Sequence, residues 1–440
     1  MITALQLLLS LSILVVLHEL GHFTAAKWFK TRVEKFYLFF NPGFELFKKQ
    51  IGETEYGIGW LPLGGYVKIS GMIDESFDTE QMKQEPQPWE FRSKPAWQRL
   101  IIMVGGVFVN FVLGIVLFSM ILFVWGESYI VPSSLKNGVA VTELGGKLGL
   151  RDGDDIISVG QRDFDKFSGG IIIRELVINQ GRTIKVSRNG SEQLIQVPEE
   201  VIPELTKHKN SKDNLIVPRY PYEIGTIDEG SPGEKGGLQI GDHIIAVNGE
   251  PTPFAHNVVK GLDAVEAEEI GLTVMRNGNT HDYSIVRSEG KIGIRTYGLE
   301  KYVDTAYNKY SFSECIPAGW NKSWRFLGDQ IKAFGHMFRG NIKASDGLGS
   351  FITIGKMFGD TWDWQRFWTM TATLSLLLAF INLLPIPALD GGYVMFLIYE
   401  TISGRKVPDK VMEVATFAGF VLLMMIMVFA LGNDIIKNFF

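Results

Sequence analysis

The sequence predicts a polytopic α-helical membrane protein with four membrane-spanning helices and a duplicated β-rich insert between the second and third. Three internal stretches, 100–124, 368–389 and 414–432, contain no charged residue. Each is long enough to cross a hydrocarbon core about 30 Å thick. The first 17 residues are likewise uncharged and apolar. The insert is indicated by two separated segments that recur at one fixed offset.

The first predicted span, residues 1–29, contains His18-Glu19-Leu20-Gly21-His22 directly after its uncharged apolar run. Two histidines four residues apart on a helix lie on one face, where both imidazoles can bind a zinc ion. The glutamate between them can take a proton from an attacking water. A metal-free, hydrogen-bonded His pair is the structural alternative. Because ionisable residues inside membrane spans are usually functional, we favour the metal site.

Basic residues near the ends of the spans predict the orientation of the chain. They place 30–99 and the 397–410 loop in the cytoplasm. The second span is then 100–125 and the fourth 411–433, with both termini and the long internal segment outside. The flanking basic residues are Lys27, Lys30, Arg32, Lys35, Lys94, Arg99, Arg405, Lys406 and Lys410.

Residues 149–159 recur as 237–247, and 186–190 recur as 274–278, both at an offset of 88 positions. Two matches at one offset indicate a duplicated domain, which we assign to 126–215 and 216–303. The dipeptides Asn189-Gly190 and Asn277-Gly278 are strong signals for type I′ hairpin turns. Each copy is therefore predicted to be a small mixed-β domain.

The segment Gly237 to Gly249 reads Gly-Leu-x-x-Gly-Asp-x-Ile-Ile-x-Val-Asn-Gly and resembles the PDZ signature. PDZ domains bind an extended peptide at a sheet edge. The resemblance implies two PDZ domains, with C-terminal peptides as partners near Tyr222 to Thr226 in the second copy. Two spacer or filter domains that bind no peptide are the alternative.

An amphipathic stripe follows the repeat, in the segment 304–362 that we interpret as juxtamembrane helices. We expect it either to lie on the outer membrane surface, where it would gate access, or to pack against a β-rich domain. The apolar positions of the stripe are Trp320, Trp324, Leu327, Ile331, Phe334 and Phe338.

The third predicted span, 363–396, supplies a candidate for the missing ligand. A catalytic zinc site has three protein ligands and an open position for water, so two histidines need one more. Asp390 ends an apolar run behind Pro385 and Pro387, which must interrupt helical hydrogen bonding. His18 and Asp390 lie about 26 Å and 33 Å into their spans if both are helical, which predicts similar depths.

His-Glu-x-x-His in a first span with Asn382-x-x-Pro-x-Pro-x-Leu-Asp-Gly-Gly in a later one resembles the site-2 protease family of intramembrane zinc metalloproteases. Four spans around two PDZ domains are similar to its bacterial group that cleaves anti-sigma factors. The resemblance implies Zn²⁺ ligands His18, His22 and Asp390. It also implies that Glu19 is the general base and that Asn382 contacts the substrate backbone.

Two further segments match the family more loosely. The stretch from Tyr56 to Lys68 resembles a membrane-associated β-hairpin whose edge strand holds the substrate extended. We take the edge as Gly57, Ile58, Gly59, Trp60 and Leu61. An ordinary cytoplasmic hairpin is the alternative. Before Asn110-Phe111, Gly105-Gly106-Val107 stands where the family has Ala-Gly-Pro.

The resemblance implies a protease of a bacterial inner membrane, and the basic flanks place both termini and the PDZ domains on its periplasmic side. Its expected substrates are transmembrane segments of single-span proteins, either an anti-sigma factor after a first cleavage or remnant signal peptides. The alternatives are a membrane-anchored PDZ adaptor with a non-catalytic metal site and a zinc transporter. The second and fourth spans hold no further ligands for a transporter. A net charge of −5 without a basic stripe argues against nucleic acid as a partner.

Overall fold

The computed structural model describes residues 2–72, 84–207, 214–343 and 351–439. The chain forms two compact units. The helical unit comprises Met1–Gly126, Lys309–Met337 and Lys343–Phe440, and the β unit comprises Glu127–Asn308 with Phe338–Ile342. Helices and strands are numbered along the chain through both units.

Within the described residues, three helices are long and apolar enough to cross a membrane. They are α1, α2 and the Lys410–Ile436 part of α11. This agrees with a membrane protein carrying inserted β domains. The helices assigned to the helical unit are α1 Ile2–Trp28, α2 Ala96–Trp125, α7 Phe312–Phe338, α8 Phe351–Met357, α9 Trp364–Asn382, α10 Asp390–Ser403 and α11 Asp409–Phe439.

The third predicted span is not one helix. α9 ends at Asn382 and α10 begins at Asp390. Pro385 and Pro387 lie between them, where proline removes a backbone donor and crowds the preceding turn. The expected interruption is therefore present, but it divides the span assigned to 363–396 into two helices.

The helical unit also contains a four-stranded sheet. Its strands are β1 Val33–Phe40, β2 Phe47–Ile51, β3 Thr54–Ile58 and β4 Leu61–Ile69. They are ordered β2-β3-β1-β4. β1 runs parallel to β3 and antiparallel to β4.

The predicted Tyr56–Lys68 hairpin is wrong, because β1 lies between β3 and β4. Gly57 pairs with Tyr37 on one side and with Lys48 on the other. Gly57 and Ile58 therefore belong to an interior strand and not to an edge. After β3 the chain turns around the end of β1, where the Gly59 N–H donates to the Leu38 carbonyl at 2.8 Å.

α1 and α2 cross at glycine. A Cβ on Gly21 would lie 2.6 Å from the Gly105 carbonyl carbon, closer than real side-chain atoms approach. Beside this crossing, Ala26 of α1 and Ile102 of α2 are fully buried in a cluster that also contains Tyr393 of α10. Between helices that span a membrane, close packing of small residues rather than removal of apolar surface from water stabilises such a crossing. The crossing fixes which part of α2 faces the two histidines.

Part of the amphipathic stripe of α7 packs against other helices of the helical unit. The rings of Trp324 and Phe111 of α2 are 5.4 Å apart, and those of Phe334 and Phe380 of α9 are 5.1 Å apart. Neither interpretation of the stripe included this contact with α2 and α9. Amphipathic spacing shows that a helix has an apolar face but does not identify its partner.

The β unit repeats its elements at the predicted offset, since β7 and β13 begin at 155 and 243. Asn189 and Asn277 have positive φ angles of 53° and 52°, as type I′ turns require. Its strands are β5 Glu127–Ile130, β6 Val139–Val141, β7 Asp155–Val159, β8 Arg162–Asp163, β9 Thr183–Arg188, β10 Ser191–Gln196, β11 Ile216–Pro218, β12 Tyr222–Ile227, β13 His243–Val247, β14 Glu250–Pro251, β15 Glu269–Arg276, β16 Asn279–Val286, β17 Ile294–Thr296 and β18 Thr305–Asn308. Its helices are α3 Glu143–Lys147, α4 Gly169–Ile173, α5 Pro232–Lys235 and α6 Ala255–Ala264.

The boundaries of the two copies differ from the predicted ones. β11 pairs with β6, so residues 216–218 complete a sheet of the first copy. β18 pairs with β5, which extends the unit to Asn308 instead of 303. β12, which contains the proposed peptide site Tyr222–Thr226, pairs with both β13 and β17.

One ion pair is repeated in both copies. Asp154 accepts from Arg188 at 2.7 Å, and Asp242 accepts from Arg276 at 2.6 Å. Burial alone would raise the pKa of Asp242, but the hydrogen bonds from Arg276 and from the Gln239 backbone hold it below its usual value. The aspartate of the repeated motif therefore has a structural role in anchoring its turn.

Candidate metal centre

α1 presents His18 and His22 on one face. Their side chains are buried, with the residues 7% and 4% exposed. Their Nε2 atoms are 3.2 Å apart, and the rings meet edge to face. Glu19, between them in sequence, lines an adjoining cavity. The helix thus gathers two ligand atoms and one carboxylate at one position.

Asp390, the first residue of α10, completes the cluster. Its Oδ2 atom lies 3.3 Å from the Nε2 atoms of both His18 and His22. Among the described residues, Oδ2 has no hydrogen-bond partner. The start of a helix also favours a negative charge, because the N-terminal end of the helix dipole is positive.

The three atoms have the spacing that a zinc ion needs. Tetrahedral ligands about 2.0–2.1 Å from zinc are about 3.3–3.4 Å from one another. The measured separations are 3.2, 3.3 and 3.3 Å. Two imidazoles and one carboxylate are a ligand set typical of catalytic zinc. Within the described ranges, this is the single group of His, Cys, Asp or Glu found with this potential.

The backbone before Asp390 folds tightly against the start of α10. A Cβ on Gly391 would lie 2.6 Å from the Leu383 carbonyl carbon, and one on Gly392 would lie 2.5 Å from Pro387 Cα. Ala388 has a φ of +86°, which a residue with a Cβ rarely adopts. The two glycines are therefore required by close backbone packing, which holds Asp390 in position.

α2 contacts the far side of both imidazole rings. His22 Nδ1 lies 2.8 Å from the Ile102 carbonyl oxygen, and His18 Nδ1 lies 3.1 Å from the Asn110 amide. A Cβ on Gly106 would overlap both rings, so glycine makes room for them. The sequence did not predict that Ile102 and Asn110 contact the histidines, and both are further candidates for functional residues. A polar Asn within a charge-free span was the available signal.

Asn382 ends α9 beside the cluster. Its Nδ2 lies 3.3 Å from His18 Nε2. The sequence predicted it as a contact for the substrate backbone, and its side chain lies beside His18 and lines the adjoining cavity.

A cavity of about 850 Å³ connects these groups with the sheet. Leu61 lines it, together with residues 64–69 of β4, whereas Gly57, Ile58, Gly59 and Trp60 are not among its lining residues. Trp60 instead stacks on Phe44, with ring centroids 5.6 Å apart. The strand beside the cavity is therefore β4, which is also the terminal strand of the sheet. Of the predicted 57–61 segment, only Leu61 lines the cavity.

An ion pair that the sequence gave no reason to expect holds the other end of α10. Arg99 donates to Glu400 at 2.5 Å, and the two side chains are 8% and 13% exposed. Arg99 was interpreted only as a basic residue flanking the second span. No local pattern links two positions that lie 301 residues apart in the chain.

Comparison with known proteins agrees with this geometry. A sequence model of Peptidase family M50 matches residues 6–426. The chain is 28% identical to "Regulator of sigma-E protease RseP" of Escherichia coli over 447 residues, covering 97% of both chains. It is 27% identical over 456 residues to a Neisseria meningitidis protein named as a zinc metalloprotease, covering 99% of both. The chain therefore belongs to peptidase family M50, the site-2 protease family of intramembrane zinc metalloproteases.

Proposed function

We propose that His18, His22 and Asp390 hold the catalytic zinc ion of this protease. The convergence of two Nε2 atoms and one carboxylate oxygen within 3.3 Å of one another carries the proposal. Zinc, when bound, supplies Lewis acidity that polarises a peptide carbonyl and lowers the pKa of a water. The protein provides an otherwise buried place for that chemistry, reached through the cavity.

Glu19 is the proposed general base. It lies on α1 between the two histidines and lines the cavity. From there it can take the proton of the attacking water and deliver it to the amine that leaves when the peptide C–N bond breaks. A positioned acid–base group of this kind contributes about 10²–10⁴-fold to rate.

Substrate binding is proposed along β4. A transmembrane helix hides its carbonyls in internal hydrogen bonds, so cleavage requires an extended segment. The terminal strand of a sheet can pair with such a segment. Residues 64–69 line the cavity that contains Glu19 and Asn382, which supports β4 as the docking strand and Asn382 as a further backbone contact. Of the predicted edge residues 57–61, Leu61 remains in this proposal.

We also propose the finer topology. The third membrane pass consists of two helices, α9 and α10, joined by the non-helical residues 383–389. Together with α1, α2 and α11, it gives four membrane passes. Both termini and the β unit then lie on the periplasmic side of a bacterial inner membrane. The basic residues flanking 30–99 and 397–410 support this orientation.

The two copies in the β unit are proposed to be PDZ domains. Their matched hairpins and the repeated Asp–Arg ion pair support common ancestry. Binding of C-terminal peptides would have to use positions other than the paired parts of β12. A role in excluding substrates with large external domains is the alternative use of the same unit.

The proposed substrates are transmembrane segments of single-span proteins. Relatives named regulators of sigma-E protease favour an anti-sigma factor-like protein that has already lost its external domain. Remnant signal peptides have the same chemistry and are the second candidate. A membrane-anchored PDZ adaptor with an inactive metal site would keep the fold without cleavage.

A Glu19→Gln comparison tests the protease against the adaptor. Wild-type protein should contain about one zinc ion and cleave a model transmembrane peptide in detergent or vesicles. Glu19→Gln should retain zinc and lose activity by about 10²–10⁴-fold, because it cannot accept the proton. Zinc content is measured by elemental analysis and cleavage by mass spectrometry. Equal cleavage by both proteins would refute the assigned base, and a zinc-free wild type would refute the metal centre.

A further inference from the structure

Asn110 lies within α2, in a stretch that contains no charged residue. Its side chain is completely buried. Its Nδ2 atom lies 3.1 Å from His18 Nδ1, and its Oδ1 atom has no hydrogen-bond partner among the described residues. A buried amide inside a membrane span is costly unless its hydrogen bonds serve the structure or the function. Because the amide contacts a proposed zinc ligand, it is placed to orient the imidazole ring of His18.

The neighbouring histidine shows how α2 acts on an imidazole. His22 Nδ1 lies 2.8 Å from the carbonyl oxygen of Ile102. A carbonyl can only accept a hydrogen bond, so the proton of the neutral ring is on Nδ1. The lone pair is then on Nε2, the atom that faces His18 and Asp390. The backbone of α2 thus fixes His22 in the form that binds a metal.

His18 requires the same tautomer. Its Nε2 faces Asp390 Oδ2 at 3.3 Å and must keep its lone pair to bind an ion, which puts the ring proton on Nδ1. The group next to Nδ1 is the Asn110 amide. With Nδ2 facing the ring, Oδ1 is left buried without a partner, and turning the amide by 180° brings Oδ1 to the ring instead. The oxygen and nitrogen of an amide differ little in shape, so the hydrogen-bond network decides which faces the ring. Because His18 Nδ1–H is a donor, the atom facing it must be the acceptor, Asn110 Oδ1.

We propose that Asn110 is a positioning residue whose Oδ1 accepts the Nδ1–H of His18 and thereby directs its Nε2 lone pair at the zinc ion. This inference rests on the proposed zinc centre. Groups that orient a ligand in this way typically change metal affinity by about 10–100-fold when removed. The ring of His18 would otherwise be free to adopt the tautomer that cannot bind.

Asn110 is held in place independently of its side chain. The Ser375 hydroxyl of α9 donates to the Asn110 backbone carbonyl at 2.7 Å, in a fully buried contact. Ser375→Ala removes a hydrogen bond to the same residue of α2, on the side that faces α9, without touching the imidazole. It is therefore a matched control for the general effect of disturbing this interface.

The test measures zinc affinity of the purified full-length protein by competition with a chromophoric chelator. Asn110→Leu has a similar shape but no acceptor and should weaken zinc binding by about 10–100-fold. Asn110→Asp retains an acceptor and loses the donor, so it should bind zinc much as wild type does. Ser375→Ala should also match wild type. Size-exclusion chromatography of each variant reports on folding.

Each variant can overturn the inference separately. Unchanged zinc affinity in folded Asn110→Leu would refute it. If that variant does not fold, Asn110→Asp decides alone, because loss of zinc from a folded aspartate variant would mean that the amide must donate. If Ser375→Ala lost as much zinc affinity as Asn110→Leu, the effect of Asn110 would come from helix packing and not from its contact with His18. Wild-type protein that binds no zinc would instead refute the proposed centre itself.

Discussion

His18 and His22 stand on an unbroken helix of 27 residues, whereas Asp390 is the first residue of α10, directly after a non-helical stretch. The histidines are oriented through their rings by contacts with α2. The aspartate is oriented through its backbone, by two close-packed glycines and a strained Ala388. The orientation of the two histidines therefore depends on hydrogen bonds to their rings. The orientation of Asp390 depends on the two glycines that follow it, which have no side chain to obstruct the backbone.

Gly391→Ala should have the largest effect on the aspartate half. The added Cβ would meet backbone atoms of Leu383 and Leu384, which cannot move aside as a side chain can. We expect zinc affinity to fall by about 100-fold, the upper end for lost ligand support. The measurement is the chelator competition used for Asn110.

Gly335→Ala is its matched control. Gly335 lies in α7 with open space where a Cβ would be, so the substitution should leave zinc affinity unchanged. It should stabilise the helix by about 0.5–1 kcal/mol. Normal zinc binding by Gly391→Ala would contradict the view that close backbone packing holds Asp390.

Glu400→Gln tests the far end of α10. It removes one partner of a buried ion pair and leaves Arg99 uncompensated, which typically costs about 3–5 kcal/mol of stability. We expect a smaller loss of zinc affinity than for Gly391→Ala, about tenfold, because α10 remains packed along its length.

The double substitution Arg99→Met with Glu400→Leu separates charge from packing. Replacing both partners of a buried pair by apolar residues is often neutral or stabilising. Zinc affinity and thermal stability should therefore recover towards wild type. A double variant as impaired as Glu400→Gln would show that the ion pair itself orients α10.

Ala388→Gly should have a small effect. Left-handed backbone costs a residue with a Cβ roughly 1–2 kcal/mol, and glycine relieves it while adding entropy to the unfolded chain. We expect a gain in stability below about 1 kcal/mol with zinc binding unchanged. A marked loss of zinc affinity would indicate that the strain itself helps to position Asp390.

Asp242→Asn should leave the metal centre unaffected, since Asp242 belongs to the β unit. It should destabilise the protein at neutral pH by removing the charge that pairs with Arg276. The pKa of Asp242 is lowered in the folded protein, so its contribution is full above the unfolded value of about 3.9 and disappears as pH falls through the folded value.

Thermal melts of wild type and Asp242→Asn should therefore differ most near neutral pH and converge in acid. A difference that is constant with pH would assign the effect to packing. Reduced zinc content at neutral pH would show that the centre depends on the β unit.

The placement of His18 and His22 on one helix face could be predicted from the sequence, because its information is local. Spacing on one helix brings His18 and His22 together, and the expected depth of Asp390 indicated that the two spans could meet. The Pro residues near 385 correctly indicated a break. The repeat offset and the Asn-Gly turns were likewise local signals, and both were confirmed.

The errors concern contacts whose partners are distant in the chain. Strand order placed β1 between β3 and β4, which no pattern within Tyr56 to Lys68 could indicate. β11 completes a sheet of the preceding copy for the same reason. The Arg99–Glu400 pair and the contacts of α2 with the imidazoles also required tertiary structure, since periodicity identifies an apolar face but not what covers it.

Because β4 is the terminal strand of its sheet, a substrate that pairs with it would be held as an additional strand, and this determines which substrate positions tolerate substitution. Side chains of an added strand alternate between the two faces of the sheet. A polypeptide docked there would turn every second side chain towards one face and leave the others on the opposite side. Tolerance to substitution around the scissile bond should then rise and fall with a period of two, in contrast to the period near four of an intact helix.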